Sequence, residues 1–354
     1  MGPSRARSLA RPNVLPRKPS RNSLRLSVWL DLSLSFLHNT SLIPHSFNHS
    51  TLDMRSSLVT LALAATAVLA APVVKVKRDD GATTDIDPTV LNYALTLEHL
   101  EAAFYKTALD SYDAAAFEAA GYPWWVRYRL TEIANHEASH VTLLTGALTA
   151  AGANATAACT YEFGLTGPAS VLATAQVLEG VGVSAYTGAA ALITSKDYLT
   201  VAASILAVEA RHASWIRGGA QNQDSFPAAY DTPLGLNEVY SLAAPFITSC
   251  PETNPALPVK AFPTLTASAG PYAAGDSLSL SWANSTDGAF AIFLSGQTQA
   301  VAAFNADGQV TIPEGVTGQV YVVVSSQNAT VSDELVLAGP AIVEIPILAT
   351  TFDY

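Results

Sequence analysis

Hydrophobic residues recur every three or four positions in four long stretches of the chain, which predicts four amphipathic helices. The first begins at Asp87-Pro88, an N-cap followed by proline at the first helical position. The second and third are separated by the patternless segment 152–167, whereas only Ser195-Lys-Asp197 joins the third to the fourth. One long and one short connection are typical of a ferritin-like four-helix bundle with one crossover. The predicted helices cover residues 87–110, 124–151, 168–194 and 198–218, with a short additional helix over 113–120.

The period changes to two beyond Ala261, after an irregular segment over 220–260. Alternation of apolar and polar residues between turns rich in Gly, Asn and Asp predicts a small β-sandwich, possessing an immunoglobulin-like architecture. We therefore predict a helical domain over 79–258 and a β-sandwich domain with its tail over 259–354. The predicted strands are Ser277–Trp282, Ala289–Leu294, Gln309–Ile312 and Gln319–Val324.

Charged residues are unevenly distributed along the 354 residues. Residues 1–78 hold 11 of the 18 Lys and Arg but only Asp31 and Asp53 of the 29 acids, which leaves 7 bases, 27 acids and a net charge of −20 in the remainder. So acidic a chain is a poor partner for nucleic acid or for an anionic membrane.

The end of this basic segment has the features of a secretion signal. Arg55 precedes a short apolar run that ends at Ala70, before Ala71-Pro72 and the dibasic pair Lys77-Arg78. This order predicts a signal peptide and propeptide over 54–78, and hence a secreted protein, extracellular or in the cell wall. The apolar run is too short for a membrane span, and no later run is suited to one.

Residues 1–53 precede this complete signal and are basic, rich in serine and without a pattern. We interpret them as an upstream extension from a start codon assigned too early, with a transit peptide as the alternative. The mature chain is then expected to begin near Asp79.

The chain has only two cysteines, Cys159 and Cys250, and in an oxidising compartment they are expected to form a disulfide. This bridge would connect the crossover between helices two and three to the segment after helix four. Sequons at Asn154, Asn284 and Asn328 predict N-glycosylation and agree with secretion.

Each predicted helix has an apolar seam that is interrupted by acidic residues near its middle. The first and third seams carry a Glu followed seven residues later by a Tyr, at Tyr105 and Tyr186, and the second and fourth carry Glu-x-x-His. Residues at i and i+3 share one helix face, and four carboxylates in an apolar seam repel one another unless cations neutralise them. Four Glu and two His suit two iron or manganese ions. The predicted ligands are Glu98, Glu137, His140, Glu179, Glu209 and His212.

These residues lie within a recognisable set of four motifs. The set resembles the secreted ferritin-like family of fungal stress-response proteins, which is related to plant desiccation-associated proteins. The resemblance covers about residues 85–255 and implies the bundle and a potential metal site. The Glu-to-Tyr spacing also resembles that of bacterioferritin, which implies that Tyr105 and Tyr186 stand beside the metals; simple core packing is the alternative for both. The motifs are Leu95-Thr-Leu-Glu-His-Leu-Glu-Ala-Ala-Phe-Tyr105, Glu137-Ala-Ser-His140, Leu178-Glu-Gly-Val-Gly-Val-Ser-Ala-Tyr186 and Val208-Glu-Ala-Arg-His212.

A rival motif overlaps the second of these, because His136-Glu137-Ala-Ser-His140 matches the zinc-protease sequence H-E-x-x-H. His136 lies about 80° from the centre of the helix stripe at 100° per residue, whereas Glu137 and His140 lie near it. The protease hypothesis needs Glu162 as third ligand and assigns no role to the other buried acids, so we favour the bundle.

Three functions remain compatible with the sequence. A protein with a dinuclear site could bind metal ions in stress response, or it could be an oxidoreductase whose metal ions react with oxygen or peroxide. The chain could instead be a non-catalytic structural or stress-protective protein with a vestigial or stabilising site. A zinc metalloprotease is the third and least favoured. On the bundle hypothesis, residues such as Glu101 are expected to be solvated or to contact the ligands without binding metal, and His136→Ala is expected to be tolerated.

Overall fold

A computed structural model describes residues 86–283 and 288–347. Helices dominate the first part of the described chain, and the long ones pack as the pairs α1 with α3 and α4 with α5. A single π-helical turn, Trp215–Ala220, extends α5. The helices are α1 (Asp87–Ser111), α2 (Ala114–Ala119), α3 (Trp124–Ala150), α4 (Pro168–Ala189), α5 (Lys196–Ser214) and α6 (Leu236–Ala243).

Strands make up most of the remainder, in three antiparallel sheets. The first pairs β1 with β2, the second has the order β3-β4-β7, and the third has the order β6-β5-β8-β9. A helical ferritin-like region therefore precedes an all-β region, as predicted. The strands are β1 (Thr160–Tyr161), β2 (Ile247–Ser249), β3 (Leu265–Ala267), β4 (Ser277–Trp282), β5 (Phe290–Ser295), β6 (Thr298–Ala303), β7 (Gln309–Thr311), β8 (Gly318–Ser325) and β9 (Val336–Ile345).

Helices α3 and α5 bury one stripe each and expose the opposite face. The predicted seam of α3 is buried from Val126 through Glu137 and His140 to Leu144. The seam of α5 is buried likewise, from Tyr198 through Glu209 to His212. This one-sided burial is what an apolar period of three and four residues produces at a protein surface.

Helices α1 and α4 are buried on more than one face. Besides its seam, α1 buries Leu97, Leu100 and Glu101, which line a small cavity together with residues of α4 and α6. The second face of α4 packs on β8, where the Tyr321 hydroxyl donates to the Gly180 carbonyl over 2.8 Å. The four-stranded sheet therefore lies directly against the helices.

Two local predictions are corrected by the structure. The segment 220–260, predicted to be irregular, contains α6, which is too short for its period to be apparent. Asp87 is not the N-cap of α1, since Ile86 takes that position. Its carboxylate instead accepts hydrogen bonds from the backbone N–H groups of Thr194 and Ser195, at 2.7 and 2.8 Å, and so fastens the short link that precedes α5.

The predicted disulfide between Cys159 and Cys250 is present. It joins the crossover to the segment after α6, beside the pairing of β1 with β2. Residues 1–53 and 54–78, which are predicted to precede the mature chain, lie outside the described residues, as does the sequon at Asn284. Within the described ranges, no helix is long and apolar enough to cross a membrane.

Candidate metal centre

Six side chains from α1, α3, α4 and α5 meet in the interior of the helical region. They form two four-residue groups whose potential ligand atoms lie within 4.8 Å of one another. Glu137 and Glu209 belong to both groups, while Glu98 with His140 completes one and Glu179 with His212 completes the other. The structure thus brings together all six predicted ligands, and all four glutamates have an exposed fraction of 0%.

The two histidines point the same ring nitrogen at the carboxylates. Nδ1 of His140 lies 3.2 Å from an oxygen of Glu98, 3.1 Å from one of Glu137 and 3.2 Å from one of Glu209. Nδ1 of His212 lies 3.1 Å from an oxygen of Glu137 and 3.1 Å from one of Glu179. Each imidazole therefore presents its Nδ1 where an ion between these carboxylates would bind.

The two predicted tyrosines connect the halves of the centre crosswise. Tyr105 of α1 donates its hydroxyl hydrogen to Glu179 of α4, and Tyr186 of α4 donates to Glu98 of α1. Each of these bonds leaves the other oxygen of its glutamate facing a histidine. Of the two predicted roles, contact with the carboxylates is therefore the one that the geometry supports.

Burial is the largest influence on the pKa of each carboxyl group in the centre. It raises the pKa of Glu98 to about 8 and that of Glu209 well above its usual range. At Glu137 the attraction of both histidines outweighs burial and lowers the pKa to about 2. Burial lowers the pKa of His212, but its carboxylate partners prevail and raise it to about 10. A metal ion that binds here must displace protons.

Three carboxylate oxygens of the centre lack a hydrogen bond although they are buried: one of Glu137 and both of Glu209. The Nδ1 atoms of His140 and His212 approach two of these oxygens at ion-pair distance without hydrogen-bond geometry. Unpaired buried acceptors cost free energy, and cations bound between the shared glutamates would satisfy them. The residues present therefore fit metal ions.

Of the two roles predicted for Glu101, the solvated one is excluded because a second face of α1 is buried as well. The exposed fraction of Glu101 is 4%, and the surrounding carboxylates act with burial to raise its pKa. A Cβ atom at Gly182 would lie 2.9 Å from a Glu101 oxygen and 3.2 Å from a Glu209 oxygen. Glycine at 182 thus makes room for a fifth carboxylate beside the predicted six ligands.

His136 also lies closer to the centre than its helix angle indicated. Its Nδ1 lies 2.9 Å from Nε2 of His212, and the two rings stack with their planes 10° apart. Glu162, the third ligand that a zinc protease would need, is exposed, and its carboxylate accepts from the backbone N–H of Gly164. Among the described residues, His136 and Glu162 belong to neither potential metal group.

The sequons at Asn154 and Asn328 lie at exposed positions. The side chain of Asn154 donates to the carbonyl of Thr253 over 3.0 Å. Glycosylation at these asparagines stays a prediction.

The fold and the centre together define a protein whose helical region contains a buried cluster of acids and histidines that could hold metal ions. Residues 86–222 match the family of the ferritin-like domain, so the match spans α1 to the π-helical turn. The chain is also 29% identical over 182 residues to Protein rds1 of Schizosaccharomyces pombe. That alignment covers 51% of this chain and 44% of the relative, less than half of its length. Both matches support a relationship to fungal ferritin-like proteins.

Proposed function

We propose that this protein is a secreted, ferritin-like protein that binds two iron or manganese ions in the described centre. The observation that carries the proposal is the sharing of Glu137 and Glu209 between two otherwise separate ligand groups. If the centre held two ions, Glu137 and Glu209 would contribute to the ligand sets of both, and each set would include one further Glu and one His. The same pattern, with one Glu from each of two helices and Glu-x-x-His from the others, occurs in di-iron carboxylate bundles.

The charges of the predicted ligands agree with this stoichiometry. Four carboxylates balance two divalent ions, so that the buried centre would carry no net charge from its six predicted ligands. Carboxylate oxygens with two imidazoles suit iron or manganese better than softer ions. We extend the proposal to the fold: the four long helices form a bundle with one crossover, and the β region is immunoglobulin-like.

When bound, such ions supply positions at which oxygen or peroxide can be activated, which supports an oxidoreductase or a metal-binding role in stress response. The chain's own residues prepare the centre for this use. Tyr105 and Tyr186 hold one oxygen of Glu179 and Glu98, which orients the other oxygen of each glutamate. His136 is placed to accept a hydrogen bond from His212, which would keep Nδ1 of His212 free to bind metal.

A non-catalytic role is the second candidate, and one observation favours it. The six ligands come from four different helices, so ions bound there would cross-link the helical region and stabilise its fold. A zinc protease is disfavoured because, among the described residues, His136 and Glu162 belong to neither potential metal group.

Elemental analysis of the chain, expressed through a secretory route, tests the proposal. We expect about two iron or manganese ions per chain, and their loss in Glu137→Ala/Glu209→Ala. The double variant Glu118→Ala/Glu252→Ala, which removes two exposed carboxylates elsewhere, should retain both ions.

Assays on the same samples then separate the two candidate functions. Turnover of oxygen or peroxide that disappears with the ions supports an oxidoreductase. A higher melting temperature with metal but no turnover supports the stabilising role. One zinc ion per chain, or no metal after reconstitution, would contradict the dinuclear site.

A further inference from the structure

A cavity of about 340 Å³ lies between α3 and α5, with the metal-centre histidines in its wall. Ligand pockets in proteins typically have volumes of ~300–1,000 Å³, so this cavity is large enough for a small organic molecule. His140 and His212 line it together with His136 and Trp215. It is therefore a place from which a small molecule could contact the edge of the centre.

The two ligand histidines differ on the side that faces this cavity. Nε2 of His212 is bonded to His136, whereas Nε2 of His140 makes no hydrogen bond to any described residue. Histidines that bind metal through one nitrogen almost always donate their other N–H to an acceptor. The buried ring of His140 thus directs an unused donor towards the cavity.

The same cavity is lined by two arginines and one acid, Glu132, although the chain is strongly acidic. Residues 79–354 have only 7 Lys and Arg, and Arg129 and Arg211 both line it. Arg129 is paired with Glu132, whereas the Arg211 side chain has no hydrogen bond or ion pair within the described chain. Elsewhere the buried Arg217 is committed to Glu344. Arg211 is therefore an available cation in the same cavity wall as His140.

The rest of the wall includes apolar surface. Trp215 lies in the π-helical turn that follows α5, and its indole packs edge-on against that of Trp125 with ring centroids 6.2 Å apart. Ile133 and Val208 add aliphatic surface to the same wall. A molecule that complemented both the cationic and the apolar parts of the cavity wall would have an anionic group and an apolar body.

We infer that this cavity binds a small organic acid, with its carboxylate between Arg211 and Nε2 of His140 and its apolar body against Trp215. The inference deepens the proposed function and rests on it for the role of His140 as a ligand. It concerns binding only, and it names the class of molecule that would lie next to the metal ions.

Calorimetric titration of the chain with benzoate, in metal-free and metal-loaded form, tests the inference. Benzyl alcohol serves as a neutral probe of similar shape. We expect benzoate to bind, and Arg211→Gln to weaken binding about tenfold or more, because a charge-assisted hydrogen bond is lost. Lys196→Gln removes an exposed cation from the start of the same helix and should leave the affinity unchanged.

The outcomes separate this inference from the proposed function, because metal content is measured on the same samples. Benzoate that binds both forms and perturbs the absorption spectrum of the loaded centre supports the inference. Absence of benzoate binding to both forms would overturn it even if two ions are present. Equal affinities for benzoate and benzyl alcohol, or equal affinities of the wild-type chain and Arg211→Gln, would overturn the assignment of an acid. If inorganic phosphate bound as tightly as benzoate, the inference that the bound molecule has an apolar body would be overturned.

Discussion

For the two tyrosines of the centre, the hydroxyl group distinguishes a role in the metal centre from a role in core packing. Tyr105 and Tyr186 lie at seam positions, where an aromatic ring is expected from packing alone. Their hydroxyl groups nevertheless reach glutamates of the opposite helix. The sequence could indicate these pairs only by the repeated spacing of seven residues, because a contact between helices depends on their relative placement.

Removing one of these hydroxyl groups should therefore affect more than packing. We expect Tyr186→Phe to lower the free energy of unfolding by about 1–3 kcal/mol, because Glu98 loses a donor in the interior. Tyr128→Phe removes a hydroxyl from an exposed tyrosine and should change the free energy of unfolding little. Urea unfolding of the metal-free chain measures both. Equal effects of the two variants would show that the Tyr186 bond contributes nothing.

His136 offers a second test at a single atom. If His212 donates to Nδ1 of His136, then His136→Ala should weaken metal binding about 10–100-fold, the usual effect of removing such an orienting partner. His136→Asn retains an acceptor near the same place and should restore part of the affinity. Competition with a metal chelator measures both variants. Wild-type affinity in His136→Ala would instead confirm the tolerance that the helix angle predicted.

Glu238 of α6 is buried away from the centre, and one of its oxygens lacks a hydrogen bond. Burial raises its pKa, and nearby Asp333 adds to this effect. The folded state therefore favours the protonated carboxyl group, so stability is retained below the unfolded pKa and is lost as the pH rises through the folded pKa. We expect Glu238→Gln to raise the melting temperature at pH 7 but not at pH 4. A gain of the same size at both pH values would contradict this account.

At the scale of elements, burial on one face or on two separates what the sequence could predict from what it could not. The seams of α3 and α5 were predicted residue by residue, because their outer faces are solvated and the apolar period stands out. The seams of α1 and α4 were predicted as well, but α6 and β8 also cover these helices on a second face, which one apolar seam does not indicate. The buried position of Glu101 was missed for this reason.

The strands show the same dependence on context. β4, β5, β7 and β8 were predicted because each has alternating or continuous apolar residues. β3, β6 and β9 were not predicted. β6 is an edge strand with mostly exposed side chains, and β3 has only three residues. β9 contains Pro340, which argues against a strand when only the sequence is considered.

The crossover before α4 has only the two residues of β1 in a sheet, and the disulfide adds a covalent link to the hydrogen bonds that join it to α1 and to the segment after α6. The bridge closes a loop with a sequence separation of 91. We expect Cys159→Ala/Cys250→Ala to lose about 3–5 kcal/mol of stability, because the unfolded chain gains freedom. Thermal unfolding with and without dithiothreitol provides the matched control, since the reductant should lower the melting temperature of the wild type only. A double variant with wild-type stability would contradict this role.

At the scale of the whole molecule, the four-stranded sheet is enclosed on both sides. Val322 of β8 packs into the core between the two larger sheets, while its neighbour Tyr321 belongs to the core of the helical region. The ion pair between Arg217 and Glu344 of β9 closes the same interface, with distances of 3.0 and 2.5 Å. A change of period along the sequence indicated two regions, but it carried no information on how they would pack.

This packing predicts that the helical and β regions unfold together. Tyr321 donates to the Gly180 carbonyl and accepts from Ser184 and Gln319, at 2.9 and 3.0 Å, so Tyr321→Phe should lower the stability of both regions by about 1–3 kcal/mol. Hydrogen exchange can follow α4 and β4 in one experiment, and their slowest amides should lose protection equally. Tyr272→Phe, in the loop before β4, should affect only its surroundings. Loss of protection confined to the strands, or two separate unfolding transitions, would show that the regions are independent.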